Sequence, residues 1–547
     1  MKVFFLSILL FCLGGTLIAQ KLSPEQIKSL DQIVVDNVDE GAPGLAMGII
    51  KNGKVVYQKY AGVSNLDPLT QIDESTRFNI ASLAKQFTAM CILRLVEDEK
   101  LKLDDDIREF IPQLYPDIKS PITIAHLLNH SSGIRDMNSL WSLQNITWWK
   151  NTFSNQDAID LLAQQQDLNF EPGSRHVYSN SNFILLTEVV KVVSGQSFKE
   201  YSDQMFAEIG MKDTRFEPKH DQIENMARPY FNFDTWKTYD WLSDLHGDGA
   251  LFTTLEDQLR WEKMLQKRKS KVLGREYLEM SQNLIAGSEI DNYGFGLSFG
   301  DYQGLPYKYH EGATGAWHAT TLRFESEKLS IFITSNSGRV STSYWARRCA
   351  DILIDADKFT NVGITLSPEE TGDPLPTEKL LGTYKTSGGY YIQILESDGK
   401  WLMRRMGRND IELEKEDDNL WHEVTDPTFK QWFSLDDENN YQITLYHTSH
   451  PPYSLQKIKG DFSEIDFAAA DGSFRNAETG GELKIKYLED DRYEVNFRGR
   501  DRKALMLEPD KLILNSYILD LERDANGQVD TVLLYSSRLK AVRYELE

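Results

Sequence analysis

A serine and a lysine three residues apart can work as a nucleophile and its base only where one element holds them on one face. Ser82-Leu-Ala-Lys85 meets that condition: residues 77–80 read as a strand, and Phe87, Met90, Cys91, Leu93, Leu95 and Val96 recur with helical spacing just beyond. On a helix, residues three apart are neighbours, and the backbone N–H groups of a helix N-terminus favour developing negative charge. The spacing recurs at Ser454-Leu-Gln-Lys457 and Ser537-Arg-Leu-Lys540. Both of those follow tyrosines in alternating, strand-like surroundings, where residues three apart point to opposite faces. Only the Ser82 copy is expected to be reactive.

Two further stretches carry chemistry. Phe170-Glu-Pro-Gly-Ser-Arg-His-Val-Tyr-Ser-Asn180 leads into an apolar helical run, so a turn could present the Tyr178 phenol to a cleft beside the Asn180 amide. Taken alone it equally fits a capping Asn180 next to a half-buried tyrosine. Tyr230-Phe-Asn232 repeats the spacing without a glycine turn or an apolar helix to frame it. His310-Glu-Gly312 precedes a strand pair, where glycine permits close approach and a free backbone N–H could complete an oxyanion hole with that of Ser82. Taken alone, such a histidine also fits a structural role. His126 and His130 have the spacing of a zinc-binding helix, but Leu127 stands where the glutamate belongs and no third ligand is evident, so no metal site is expected.

The elements that must position these residues belong to a chain of 547 residues, longer than one hydrophobic core usually organises. A formal charge of -23 disfavours nucleic acid and anionic membrane surfaces as partners and leaves a small-molecule or peptide substrate. Residues 1–20 hold Lys2, an apolar run over 3–13 and small residues before Ala19 and Gln20, the pattern of a signal peptide. The run is too short to span a bilayer, and Cys12 lacks a preceding small residue, so a soluble periplasmic or secreted product without stable membrane insertion is expected. Cys91 and Cys349 lie in apolar helical patterns and read as buried thiols. Oligomeric state is not legible.

Ser23-Pro-Glu-Gln26 starts a helix to about residue 38, and Asn52-Gly53 marks a hairpin. A mostly helical region runs to about residue 265, strands return at 320–324 and 329–334, and an amphipathic helix covers about 343–354. Strands at both ends with helices between imply one antiparallel sheet shared by the two ends of an α/β (α+β) domain over 21–361. Residues 362–376 have linker composition. Beyond them Leu381-Gly-Thr-Tyr-Lys385 and Asp471-Gly-Ser-Phe-Arg475 open two similar units of short strands, 377–461 and 462–547, which argues for two small antiparallel barrels. On this repeat, Ser454–Lys457 and Ser537–Lys540 fall on the same strand of each unit.

Ser-x-x-Lys, then Tyr-x-Asn, then His-x-Gly, in this order, resembles the serine β-lactamase and penicillin-binding-protein fold, in its class C and D-stereospecific peptidase branch. Ile122-Thr-Ile-Ala-His-Leu-Leu-Asn-His-Ser-Ser-Gly-Ile134, Met211-Lys-Asp-Thr-Arg215 and residues 247–257 fit as well, and the resemblance covers roughly residues 25 to 357. It implies acyl transfer without a cofactor. In that scheme Ser82 attacks, a desolvated Lys85 and Tyr178 shuttle the proton, and Asn180, His310, Gly312 and Ala313 hold the substrate, with the Ser82 and Ala313 N–H groups on the oxyanion. Many relatives carry lysine where His310 stands, and a largely neutral histidine grips a carboxylate less well. His-x-Gly followed by two lipocalin-like barrels is similar to the D-aminopeptidase arrangement, in which a barrel loop narrows the cleft. The implied activity is a peptidase or amidase on D-amino-acid-containing peptides. An esterase or β-lactamase of the same fold, and a penicillin-type sensor that never turns over, remain open.

Overall fold

The computed structural model describes residues 21–360, 373–387, 389–405, 409–447, 450–458 and 465–547. The expected export segment and most of the expected linker lie outside the described residues. Helix α1 (Pro24–Asn37) begins with the capping box read from the sequence, Ser23 Oγ accepting from Gln26 N and Gln26 Oε1 accepting from Ser23 N. The hairpin of β1 (Leu45–Lys51) and β2 (Lys54–Ala61) turns on Asn52 and Gly53, both at positive φ.

The sheet gathers its other strands some 230 residues later: β3 (Tyr293–Gly294), β4 (Leu297–Tyr302), β5 (Leu305–Thr314), β6 (Trp317–Phe324) and β7 (Leu329–Ser335), in the order β3-β4-β5-β6-β7-β1-β2. Every pairing in it is antiparallel. Strand β1 is apolar nearly throughout because it is buried on both faces. Leu45, Met47 and Ile49 join a core with α1 and a C-terminal helix (Thr342–Leu353). Ala46 and Ile50 face the opposite core, built with the helical middle of the chain. That middle is less purely helical than expected, since short strands such as Arg215–Phe216 and Leu251–Thr253 cross it. Tyr230, from the competing Tyr-x-Asn, binds Asn65 at 2.7 Å, which ties down a loop.

Two closed eight-stranded antiparallel barrels follow, from Gly382–Lys385 to His450–Lys457 and from Gly472–Arg475 to Val542–Leu546. The first is tied to the sheet domain by Arg347, 3.0 Å from Asp426 of the barrel and 3.5 Å from Glu311 of the sheet. The second buries an Arg135–Glu478 ion pair of 2.8 Å against the helical half.

One sequence expectation needs correction here. Ser454–Lys457 lies on a strand, but Ser537–Lys540 forms the loop between Val529–Tyr535 and Val542–Leu546. Ser536 Oγ accepts from the N–H groups of Arg538 and Leu539, and such local bonds compete with a strand ladder. Among the described residues no helix is long and apolar enough to cross a membrane, and Cys91 and Cys349 are free and buried.

Candidate active site

The Ser82 turn begins in a conformation most residues avoid. Ala81 sits at φ 47, held by its N–H donating to Asn79 Oδ1 at 2.9 Å. A 3-10 turn over Ala81–Ala84 then runs directly into helix α2 (Lys85–Glu97). The expected helix therefore starts one tighter turn early. Ala81, Leu83, Ala84 and Lys85 are buried, while Ser82 keeps partial exposure.

Lys85 is fully buried, and its amine has three partners: Asn180 Oδ1 at 2.9 Å, the Asp248 carbonyl at 2.7 Å and Ser82 Oγ at 3.3 Å. The two carbonyl oxygens can only accept, so two N–H bonds are committed to them. The third position lies between Nζ and Oγ, either as N–H donating to Oγ or as Oγ–H donating to the amine. That one proton is the part of the site free to move.

Tyr178 and Asn180 are set by the start of helix α3 (Asn180–Ser194). Asp136, wholly buried, accepts the Asn180 N–H at 2.9 Å and so places a carboxylate at the helix N-terminus. His130 Nδ1 accepts from Ser179 N at 3.3 Å and Asn182 Nδ2 at 3.1 Å, and its ring lies 4.2 Å from that of Tyr178. Burial holds His130 well below the usual histidine range. Tyr178 Oη is buried and makes no hydrogen bond among the described residues. Lys85 Nζ lies 4.9 Å from the centroid of its ring.

His310 is buried, and its neighbours fix its tautomer. Its Nδ1 lies 2.8 Å from the Glu311 carbonyl and so carries the hydrogen, leaving Nε2 to accept from Tyr293 Oη at 2.8 Å. Burial first, and the Lys85 charge second, hold it down to about 3. A neutral ring engaged at both nitrogens carries no charge with which to grip a carboxylate.

What this strand brings to Ser82 is backbone. Pairing of β5 with β4 ends at Tyr309, so residues 310–314 pair only with β6. A β-carbon on Gly312 would collide with the Ile80 carbonyl and come within 3.1 Å of Ser82 N. Glycine there lets the strand, with Ala313 next along it, lie against the nucleophile's turn.

The neutral histidines have a thermodynamic consequence. His310 at about 3 and His176 and His220 at about 4, all lowered chiefly by burial, take up protons in the unfolded chain below roughly pH 6.5 but not in the fold. Their contribution is complete above that pH and is lost as pH falls toward the folded values. Between pH 6.5 and 5, above most carboxylate titration, His310 alone should account for a loss on the order of 2 kcal/mol. Thermal unfolding should show Tm falling across this window and His310→Gln flattening the fall; a Tm independent of pH would contradict it.

Sequence reading missed Asp136, Tyr293 and the Asp248 carbonyl. It weighed His130 only as a metal ligand. Nearby, Trp141 is buried and stacks on Phe153 at 4.3 Å, while Trp148 and Trp149 pack around Trp241.

Comparison with known proteins places this arrangement. The family model described as Beta-lactamase matches residues 30–352. A D-aminopeptidase of Gluconobacter oxydans is 28% identical over 355 residues, covering 62% of this chain and 63% of the relative. One of Brucella anthropi is 25% identical over 402 residues, 69% and 75% of the two chains. The chain thus spans less than two thirds of the length of the first of these curated relatives. Among solved structures, the octameric penicillin-binding protein homologue from Pyrococcus abyssi aligns with a TM-score of 0.57 at 22% identity, over 79% of this chain and all of that one, a likeness of fold. With the family match spanning more than half the chain, the chain belongs to the beta-lactamase family.

Proposed function

We propose that this protein is an exported serine hydrolase that forms an acyl-enzyme on Ser82 and cleaves amide bonds in D-amino-acid-containing peptides. The observation that carries the reading is the Lys85 amine, bound to Ser82 Oγ and anchored by two obligate acceptors over the Tyr178 ring. Similarity to D-aminopeptidases supports the substrate class, and the apolar run at residues 3–13 supports export.

Ser82 Oγ bonds to the carbonyl carbon as its proton passes to Lys85 Nζ. The carbonyl oxygen becomes an oxyanion facing the Ser82 and Ala313 N–H groups, each such donor being worth about 3 kcal/mol. When the C–N bond breaks, Tyr178 Oη protonates the leaving nitrogen and is reprotonated from Lys85. Water then adds to the acyl-enzyme, giving its proton to Lys85, and as the C–Oγ bond breaks Lys85 returns that proton to Oγ, releasing the acid and restoring Ser82.

Intact-mass spectrometry during turnover tests this with D-amino-acid anilides, D-Ala-D-Ala peptides, short-chain esters and a chromogenic cephalosporin. The expected result with the D-amino-acid substrates is a transient adduct on the Ser82 peptide that returns to free mass. A stable adduct would make the protein a sensor, and activity on esters alone would make it an esterase. No adduct with any of them would remove the reading.

A further inference from the structure

The second barrel places a cation at this site. Arg538 stands in the loop between strands Val529–Tyr535 and Val542–Leu546. Its guanidinium carbon lies 5.1 Å from the centroid of the Tyr178 ring, the same ring that Lys85 Nζ approaches to 4.9 Å, so the two charges are at most about 10 Å apart. The loop is clamped by one side chain of the catalytic domain: Asn169 Nδ2 donates to the Arg538 carbonyl at 3.0 Å, and Asn169 Oδ1 accepts from Lys540 N at 2.8 Å.

Among the described residues the Arg538 head group has one long bond, Nη1 to Asp136 Oδ2 at 3.4 Å. Asp136 is already occupied, accepting from Asn180 N, Ser139 N and Ser139 Oγ. The Arg538 side chain is 39% exposed. Lys540 donates to the Ser536 carbonyl, and its amine is lowered by burial and by the charge of Arg175. Asp248, which feels the Arg538 charge, is raised by burial. On strand β5, His310 is neutral and bonded at both nitrogens.

We infer that Arg538 is the group that receives an anionic substituent of the substrate, and that this enzyme acts on peptides bearing a free carboxylate close to the scissile carbonyl. A planar guanidinium suits that partner because its parallel N–H groups match the two carboxylate oxygens. The cation that the catalytic strand lacks is thereby supplied by a separate domain. The inference rests on the acyl-transfer reading of Ser82 and adds to it the charge of the substrate.

The test compares one D-amino-acid peptide in two forms, free carboxylate and carboxamide. The wild-type protein should prefer the carboxylate form, and Arg538→Ala and Arg538→Gln should lower the ratio of the two kcat/KM values at least about tenfold, through KM, with Arg538→Lys recovering part of it. An unchanged ratio, or equal losses on both forms, overturns the inference. Calorimetric binding of the two peptides to Ser82→Ala, with and without Arg538→Ala, separates the two claims. A carboxylate preference that disappears with Arg538 sustains the subsite even if the wild-type protein hydrolyses neither form. No preference in binding sinks the subsite and leaves the Ser82 reading to stand on the adduct.

Discussion

Lys85→Ala should lower kcat by about 10⁴-fold or more, the scale seen when one member of a catalytic unit is removed. The fold should survive, because the change deletes a buried amine and leaves the Asn180 amide oxygen and the Asp248 carbonyl without that donor, a cost of about 1–3 kcal/mol for each. The sharper variant is Lys85→Arg. A guanidinium keeps a positive charge and can bond the same carbonyls, but it stays protonated at any working pH and has no lone pair to take the Ser82 proton. If Lys85 serves as the base, arginine should be as inactive as alanine. If it serves only as a charge, arginine should restore activity. Single-turnover acylation of Ser82 decides between them, and an arginine variant retaining a tenth of the wild-type rate would refute the base assignment.

What was legible in the sequence follows from how local each signal is. The Ser82–Lys85 pair could be found because helical period and a preceding strand are written within twenty residues, and the hairpin at Asn52-Gly53 and the capping box at Ser23 are local in the same way. The barrels could be found because they repeat. Asp136 could not, since capping a helix that begins 44 residues later leaves no pattern near either residue. The Tyr293–His310 bond joins two strands of the sheet across 17 residues, and no local pattern announces it. Arg538 lay inside a Ser-x-x-Lys match dismissed for lacking a helix. The dismissal of Ser537 as a nucleophile stands, yet the loop that Ser536 folds is what turns the arginine toward Tyr178. Tertiary contacts across hundreds of residues are set by packing, and no periodicity records them.

Gly312→Val should cost at least about 10²–10³ in kcat, with KM changed far less. The smallest side chain at this position already meets the Ile80 carbonyl, which belongs to the backbone and cannot swing away. Strand β5 must therefore retreat from the Ser82 turn. Retreat on one side is resisted by the register with β6, where Gly312 faces Ala319 and Ala313 faces His318. Retreat of the turn is resisted by Ala81, already held at positive φ by Asn79. Either way the Ala313 N–H separates from that of Ser82, and an oxyanion hole with one donor displaced by about 1 Å loses its complementarity to the tetrahedral intermediate more than to the bound substrate. Gly312→Ala should give a milder loss in the same direction, since it meets the same carbonyl without the added methyl groups. Steady-state kinetics on both variants, with circular dichroism to confirm that they fold, would sink this account if Gly312→Ala kept the full kcat.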